Sequence, residues 1–177
     1  MFRPFVFTIA VRQATLAIRT IFGKTPCMKT LKILVLNGPN LNLLGTREPE
    51  IYGSEALDSI AKDMNACAEK IGGVGIEFRQ SNAESDLITW IGAAKGNFDG
   101  IIINPAAFTH TSLGVADALK AMEKSVPAVE VHLSNTHARE EIRHKSLTVS
   151  ACIGQIMGFK GYGYILALQA LVKHLRG

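Results

Sequence analysis

Short apolar runs alternate with helix-like periodicity along the chain from residue 31 onward. The run at 32–36 is apolar after its first lysine and ends at Asn37-Gly38-Pro39-Asn40, which is typical of a buried strand followed by a turn. Further apolar runs predict four more strands, at 74–79, 99–104, 127–132 and 149–156. Strands that are apolar throughout indicate a parallel sheet with both faces covered.

Between the predicted strands, apolar residues recur at the spacing of one helix face. Ser54 is the predicted N-cap of the first helix, whose apolar positions run from Leu57 to Ile71 before Gly72-Gly73 ends it. Further helices are predicted at 85–95, 112–124 and 164–175, with a short one at 139–144. Five strand–helix units with right-handed crossovers predict an α/β, flavodoxin-like three-layer sandwich with a five-stranded parallel sheet.

We interpret residues 28–177 as a single catalytic domain, because no repeat, low-complexity tract or linker interrupts 31–177. Residues 1–27 form a leader that we expect to be disordered. It is basic, acid-free and partly apolar, which resembles a targeting segment. The alternative, which the start of a strand soon after Met28 favours, is that Met28 is the true start of the protein.

The formal net charge of +4 arises entirely from the leader, which contains Arg3, Arg12, Arg19 and Lys24. The remainder is neutral, which argues against a nucleic-acid partner, since such binding requires clustered Lys and Arg. No stretch approaches the roughly 18 apolar residues of a membrane span. The three cysteines are scattered and match no metal-binding spacing, so we expect packed thiols in a reducing compartment and a cytoplasmic location.

Three polar loops follow predicted strands, where an open parallel sheet binds its ligands. The first extends from Asn37 to Gly53, the second from Asn104 to Ser112, and the third begins at Glu130 and His132 and is followed by Arg139 and Arg143. Any one of these residues alone is more often structural than functional. Their accumulation at one edge of the sheet predicts a functional site there.

The familiar cofactor motifs do not occur at this edge. No GxGxxG follows a strand, and there is neither a phosphate-loop lysine nor a nucleophile elbow. His132 and His137 have no Cys or carboxylate to complete a metal site. We therefore expect neither a metal nor an organic cofactor.

The remaining Tyr, Arg, Asn, Ser and His side chains suit proton transfer beside a carbonyl, with hydrogen bonds to an oxyanion. Several amide and hydroxyl donors indicate a small polyhydroxylated substrate, and arginine indicates a carboxylate on it. Two other classes stay open from the residues alone. One is an FMN- or phosphate-binding module of the same fold, and the other is a regulatory or scaffold protein.

Five segments together resemble the type II 3-dehydroquinate dehydratase family. They are residues 36–53 (LNGPNLNLLGTREPEIYG), 79–91, 99–112, 129–143 and the GYILAL run at 163–168. The resemblance implies a cofactor-free lyase that converts 3-dehydroquinate reversibly into 3-dehydroshikimate by anti elimination of water through an enolate. That reaction belongs to the shikimate pathway or to quinate breakdown.

The resemblance also implies roles for individual residues. Tyr52 would take the C2 proton, and Arg47 on the same mobile loop would favour the tyrosinate. Asn40 would hold a water at the enolate oxygen. His132 would protonate the departing C1 hydroxyl with help from Asn104. The expected substrate-binding residues are Leu133 and Ser134 at the carboxylate, and His110 and Arg143 at the ring hydroxyls.

Two further expectations follow from the resemblance. Asp117 would reach into the site of a neighbouring subunit, because the resemblance implies trimers that assemble into a homododecamer. The chain departs from the family pattern at Leu147, Ser150 and Lys160, where Tyr, Pro and Gly are expected. These departures put local packing in question more than activity.

Overall fold

The centre of the protein is a sheet of five parallel strands, seen in a computed structural model that describes residues 29–45 and 56–177. The strands are β1 (Leu31–Asn37), β2 (Val74–Gln80), β3 (Gly100–Asn104), β4 (Ala128–His132) and β5 (Gly154–Met157). Their order across the sheet is β2-β1-β3-β4-β5. This is the flavodoxin-like order, so the predicted fold is confirmed.

Helices cover both faces of the sheet. They are α1 (Leu57–Ile71), α2 (Glu84–Gly92), the single turn α3 (Phe108–Thr111), α4 (Leu113–Met122) and α5 (Tyr162–Arg176). Helices α1 and α5 pack together on one face, and α2 and α4 on the other. None of the helices in the described ranges is long and apolar enough to span a bilayer.

Side chains of each central strand alternate between two apolar cores, because successive residues of a strand point to opposite faces. Ile33 and Val35 of β1 enter the core under α1 and α5. Leu34 and Leu36 enter the core under α2 and α4. Strands β1, β3 and β4 are almost entirely buried, whereas the edge strands β2 and β5 are only partly covered.

Three local predictions were wrong. The helix predicted at 139–144 is replaced by 3₁₀ turns at Thr136–Ala138 and Glu141–Arg143, and residues 149–151 form a 3₁₀ turn rather than the start of β5. In the latter turn the Ser146 hydroxyl accepts a hydrogen bond from the Val149 N–H at 2.9 Å, a side-chain contact that competes with strand pairing. The N-cap of α1 is Ala56, not the predicted Ser54.

Several predictions fall on residues that the structure does not describe. The leader at 1–27 and Ser54 lie outside the described residues. So do the two functional residues of the first loop, Arg47 and Tyr52.

Lys160 has a positive φ of 51°, in the left-handed region that glycine adopts most easily. It is one of the three positions where the sequence departs from the pattern expected of the resembled family, and glycine is the residue expected there. The Lys160 N–H donates to the Leu133 carbonyl oxygen at 2.9 Å, so the turn supports the residue that follows β4. Lysine therefore stands in a conformation that its Cβ disfavours.

Replacing Lys160 with glycine should stabilise the protein by up to about 1 kcal/mol, because the left-handed penalty exceeds the entropy that glycine adds to the unfolded chain. The free energy of unfolding in urea measures this. The control is Lys62→Gly on the exposed face of α1, which should lose about 1 kcal/mol. Equal destabilisation by both changes would contradict the prediction.

Candidate active site at the strand ends

A cleft opens where β1, β3 and β4 end, as the three polar loops predict. It encloses about 740 Å³ of non-protein space, open solvent included. Seven of the predicted site residues line it: Asn40, Asn104, His110, His132, Leu133, Ser134 and Arg143. The structure therefore brings together every predicted site residue in its described ranges except Asp117.

The floor of the cleft depends on a close approach between the loops after β1 and β3. The Gly38 N–H donates to the Asn104 carbonyl oxygen at 2.8 Å. A Cβ at Gly38 would lie 2.4 Å from the Pro105 carbonyl oxygen, so no other residue fits without movement of the backbone. This contact explains the glycine in Asn37-Gly38-Pro39-Asn40.

Asn40 continues this loop with a left-handed φ of 65°, which asparagine tolerates better than most residues. Its N–H donates to Asn82 Oδ1 at 2.9 Å. Gln80 Nε2 donates to the same oxygen at 3.0 Å, so the end of β2 holds Asn40 in place. Asn40 lines the cleft from this fixed backbone.

His132 and Glu130 form a buried pair on one face of β4, since residues two apart in a strand point the same way. His132 Nε2 lies 2.7 Å from Glu130 Oε1, and the two residues are 6% and 0% exposed. Because a carboxylate only accepts, Nε2 carries the hydrogen. The other ring nitrogen, Nδ1, has no hydrogen-bond partner in 29–45 or 56–177 and belongs to a residue that lines the cleft.

Four further donors surround the Glu130 carboxylate. Thr109 Oγ1 and Gln155 Nε2 donate to Oε1 at 2.9 and 2.7 Å, and Ser146 Oγ at 3.1 Å. Thr148 Oγ1 donates to Oε2 at 2.5 Å. This shell satisfies a carboxylate that has no exposure to water.

The pKa of Glu130 is held below its ordinary value. Burial alone would raise that pKa, but the hydrogen bonds from His132 and Thr148, the charge of His132 and the Thr109 hydrogen bond outweigh it. Glu130 is therefore ionised at neutral pH. Its ionisation stabilises the fold above pH 4.5, its ordinary pKa, and this contribution is lost as the pH falls through the lower folded pKa.

Sequence reasoning did not assign Glu130 a role, although it noted Glu130 beside His132. A charged residue in an otherwise apolar strand, two positions before a histidine, is the signal that would have identified it. Burial raises the pKa of Cys152 to about 12, and the charge of Glu130 adds to this effect, so this thiol is protonated and unreactive.

His110 lies on the one-turn helix α3, which the sequence did not predict. Its Nδ1 lies 2.7 Å from the Lys145 carbonyl oxygen. A carbonyl only accepts, so Nδ1 carries a hydrogen. This contact orients His110 at the cleft and ties α3 to the segment after β4.

That segment forms the cationic wall of the cleft. Leu133 and Ser134 line it directly after β4, and Arg139 and Arg143 follow on the two 3₁₀ turns. Arg143 Nε donates to Glu140 Oε2 at 3.0 Å. Arg139, which had no predicted role, thus adds a second guanidinium to the site.

Asp117 is the predicted site residue that this chain does not bring to the cleft. It lies on the exposed side of α4, one turn after Leu113, whose side chain is 67% exposed. Asp117 is therefore on the outer surface of this chain.

Comparison with known proteins agrees with this geometry. The profile of the Dehydroquinase class II family matches residues 31–172. A "3-dehydroquinate dehydratase" of Clostridium perfringens is 52% identical over 82% of this chain and 99% of its own. One of Geotalea daltonii is 53% identical over 82% of this chain and 99% of its own.

A solved structure supports the same family. The type II dehydroquinase of Butyrivibrio crossotus superimposes with a TM-score of 0.77 at 44% identity, covering 80% of this chain and 97% of that one. The residues that the family profile matches include all five strands and every described segment that lines the cleft. The chain therefore belongs to the class II dehydroquinase family.

Proposed function

We propose that the protein is a 3-dehydroquinate dehydratase, a lyase of the shikimate pathway that eliminates water through an enolate. The observation that carries this proposal is His132 at the cleft, backed by an ionised and fully buried Glu130. Family membership and the printed names of the relatives support the substrate.

The reaction begins at the loop outside the described residues. Tyr52, as a tyrosinate, takes the proton from C2, and the electron pair moves into the neighbouring carbonyl to form an enolate. The positive charge of Arg47 stabilises the tyrosinate, since an ordinary tyrosine has a pKa of about 10. Asn40 holds a water that donates a hydrogen bond to the enolate oxygen.

Elimination then takes place at His132. The enolate collapses, the carbonyl re-forms, a C1–C2 double bond appears, and the C1 hydroxyl leaves with a proton from the imidazolium. Because Nε2–H is held by Glu130, Nδ1 is the nitrogen that supplies this proton. Glu130 stabilises the imidazolium by charge and hydrogen bond, which readies His132 as general acid.

The remaining residues of the cleft hold the substrate. Backbone amides of Leu133 and Ser134 bind its carboxylate, and His110 and Arg143 bind ring hydroxyls. His110 binds its hydroxyl through Nε2, because its Nδ1–H is already bonded to the Lys145 carbonyl oxygen. Arg139 adds positive charge beside the carboxylate.

An ultraviolet assay tests the function directly. The product is a conjugated enone, so purified protein with 3-dehydroquinate should show a rise in absorbance without added metal or organic cofactor. A control with the catalytically damaged His132→Ala variant excludes background elimination. No absorbance change with the wild-type protein would refute the proposed function.

Assembly into a homododecamer, a tetramer of trimers, is part of the same proposal, with Asp117 entering a neighbouring site. Light scattering should give a mass many times the 19.1 kDa of one chain. Asp117→Asn should raise KM, whereas Asp58→Asn on the exposed face of α1 should leave it unchanged. A fully active monomer would contradict the shared site.

A further inference from the structure

The Tyr164 hydroxyl is buried between the ends of β1 and β3. It donates to Asn37 Oδ1 at 2.7 Å and accepts from Asn104 Nδ2 at 2.9 Å. Asn37 and Asn104 are paired across the sheet, and all three residues are at most 2% exposed. One hydroxyl from α5 thus joins the last residues of two neighbouring strands.

These bonds determine the orientation of the Asn104 amide. Its Oδ1 accepts the Ala106 N–H at 3.1 Å, and one Nδ2–H is given to Tyr164. The second Nδ2–H has no acceptor in the described ranges, and Asn104 lines the cleft. Of the four hydrogen-bonding positions of this amide, residues in the described ranges occupy two, which leaves a defined N–H for a ligand.

Tyr164 does not line the cleft, so it contacts no substrate. Burial raises the pKa of Tyr164 well above its ordinary value despite the Asn104 hydrogen bond, so the group stays neutral and remains a donor to Asn37. A phenylalanine at this position would provide the same packing of the ring. The hydroxyl adds the two hydrogen bonds to Asn37 and Asn104.

We propose that Tyr164 is a positioning residue for the dehydration, which sets the Asn104 amide so that its second N–H meets the departing oxygen of the substrate. This inference rests on the proposed function. It gives the GYILAL run at 163–168 a role beyond helix packing. Asn37, at the other side of the hydroxyl, anchors Tyr164 to β1.

Tyr164→Phe keeps the ring and removes both hydrogen bonds. Its kcat should fall by about 10–100-fold, the loss expected when a reacting group is misplaced by a fraction of an ångström to 1 Å, while KM changes by less than about threefold, since the lost interaction belongs to the transition state. The matched control is Tyr162→Phe, the same change on the same helix at a side chain that is 60% exposed. It should keep wild-type kcat.

A double-mutant cycle separates positioning from general structural damage. In an Asn104→Ala background, Tyr164→Phe should lower kcat by less than about twofold, because residues that act as a unit are not additive. Independent, multiplying losses would overturn the proposal, as would wild-type kcat in the single variant. If circular dichroism shows that Tyr164→Phe does not fold, Asn37→Ala provides the test instead, because it removes the acceptor of the Tyr164 hydroxyl. Wild-type kcat in Asn37→Ala would then overturn the proposal.

A crystal structure of Tyr164→Phe tests the positioning role of Tyr164 without an activity measurement. The Asn104 amide should rotate or shift relative to the wild type, since its Nδ2 has lost its acceptor. An unchanged amide would overturn the positioning role even if the wild-type enzyme dehydrates 3-dehydroquinate. Conversely, an inactive wild type with a displaced Asn104 in the variant would refute the proposed function alone.

Discussion

Replacing Tyr52 with phenylalanine is expected to lower kcat by about 10³–10⁴-fold, the upper part of the range for a lost general base. Phenylalanine keeps the ring and its packing but has no ionisable oxygen to take the C2 proton. The affinity for a competitive inhibitor should change little, because the oxygen acts in the chemical step. Steady-state kinetics with 3-dehydroquinate and an inhibition constant for each protein measure the two effects.

Tyr162→Phe serves as control here as well, since it removes an exposed hydroxyl without touching the cleft. If Tyr52→Phe retains more than about a tenth of wild-type kcat, against the range expected for a lost general base, Tyr52 is not the base. The proposed mechanism would then need another proton acceptor at C2.

Arg47 provides a second test of the same step. Arg47→Ala removes the cation that favours the tyrosinate, so Tyr52 should ionise closer to its ordinary pKa of about 10. The acid limb of the kcat profile should therefore move to higher pH, and part of the lost rate should return as the pH rises. A uniform loss at every pH would mean that Arg47 only binds substrate.

The second large effect is expected at the buried pair on β4. His132→Ala should lower kcat by about 10²–10⁴-fold, because the departing hydroxyl loses its proton donor. Glu130→Gln should lower it by roughly 10–100-fold, since a hydrogen bond to a charged group contributes about 1.5–3 kcal/mol.

The control for Glu130→Gln is Glu69→Gln on the exposed face of α1, where the same change meets only solvent. Circular dichroism checks that Glu130→Gln is folded, since its amide faces donors that were arranged for a carboxylate. A folded Glu130→Gln protein with wild-type kcat would contradict the electrostatic role of Glu130.

Much of the fold could be read from local patterns. All five strands and the four longer helices were predicted, because apolar runs and 3.6-residue periodicity report burial directly. Apart from the N-cap of α1, the errors fall on residues 136–151, where Asn135, Ser146 and Thr148 bond to nearby backbone or to Glu130. Side-chain hydrogen bonds of this kind override periodicity, and the bond between Thr148 and Glu130 joins residues that are 18 apart in sequence.

Some features of the candidate site could be predicted from the sequence and others could not. That the loops after β1, β3 and β4 would meet follows from parallel strands in this order, and the family motifs located Asn104, His110 and His132. Motifs identify residues but not their supports. The hydroxyl groups around Glu130 and the hydrogen bonds of Tyr164 could not be predicted from the sequence, because they join segments that are far apart along the chain.

The sequence by itself determined the order of elements, the family and the candidate residues for the chemistry, since these depend on composition, spacing and motif. The tertiary structure alone decided which nitrogen of His132 bonds Glu130, that Glu130 is ionised without solvent, and how Asn104 is oriented. The physical reason is that protonation and orientation depend on distances of about 3 Å between groups that only folding brings together. Glu130 and Thr148 are separated by 18 residues, and Asn37 and Tyr164 by 127.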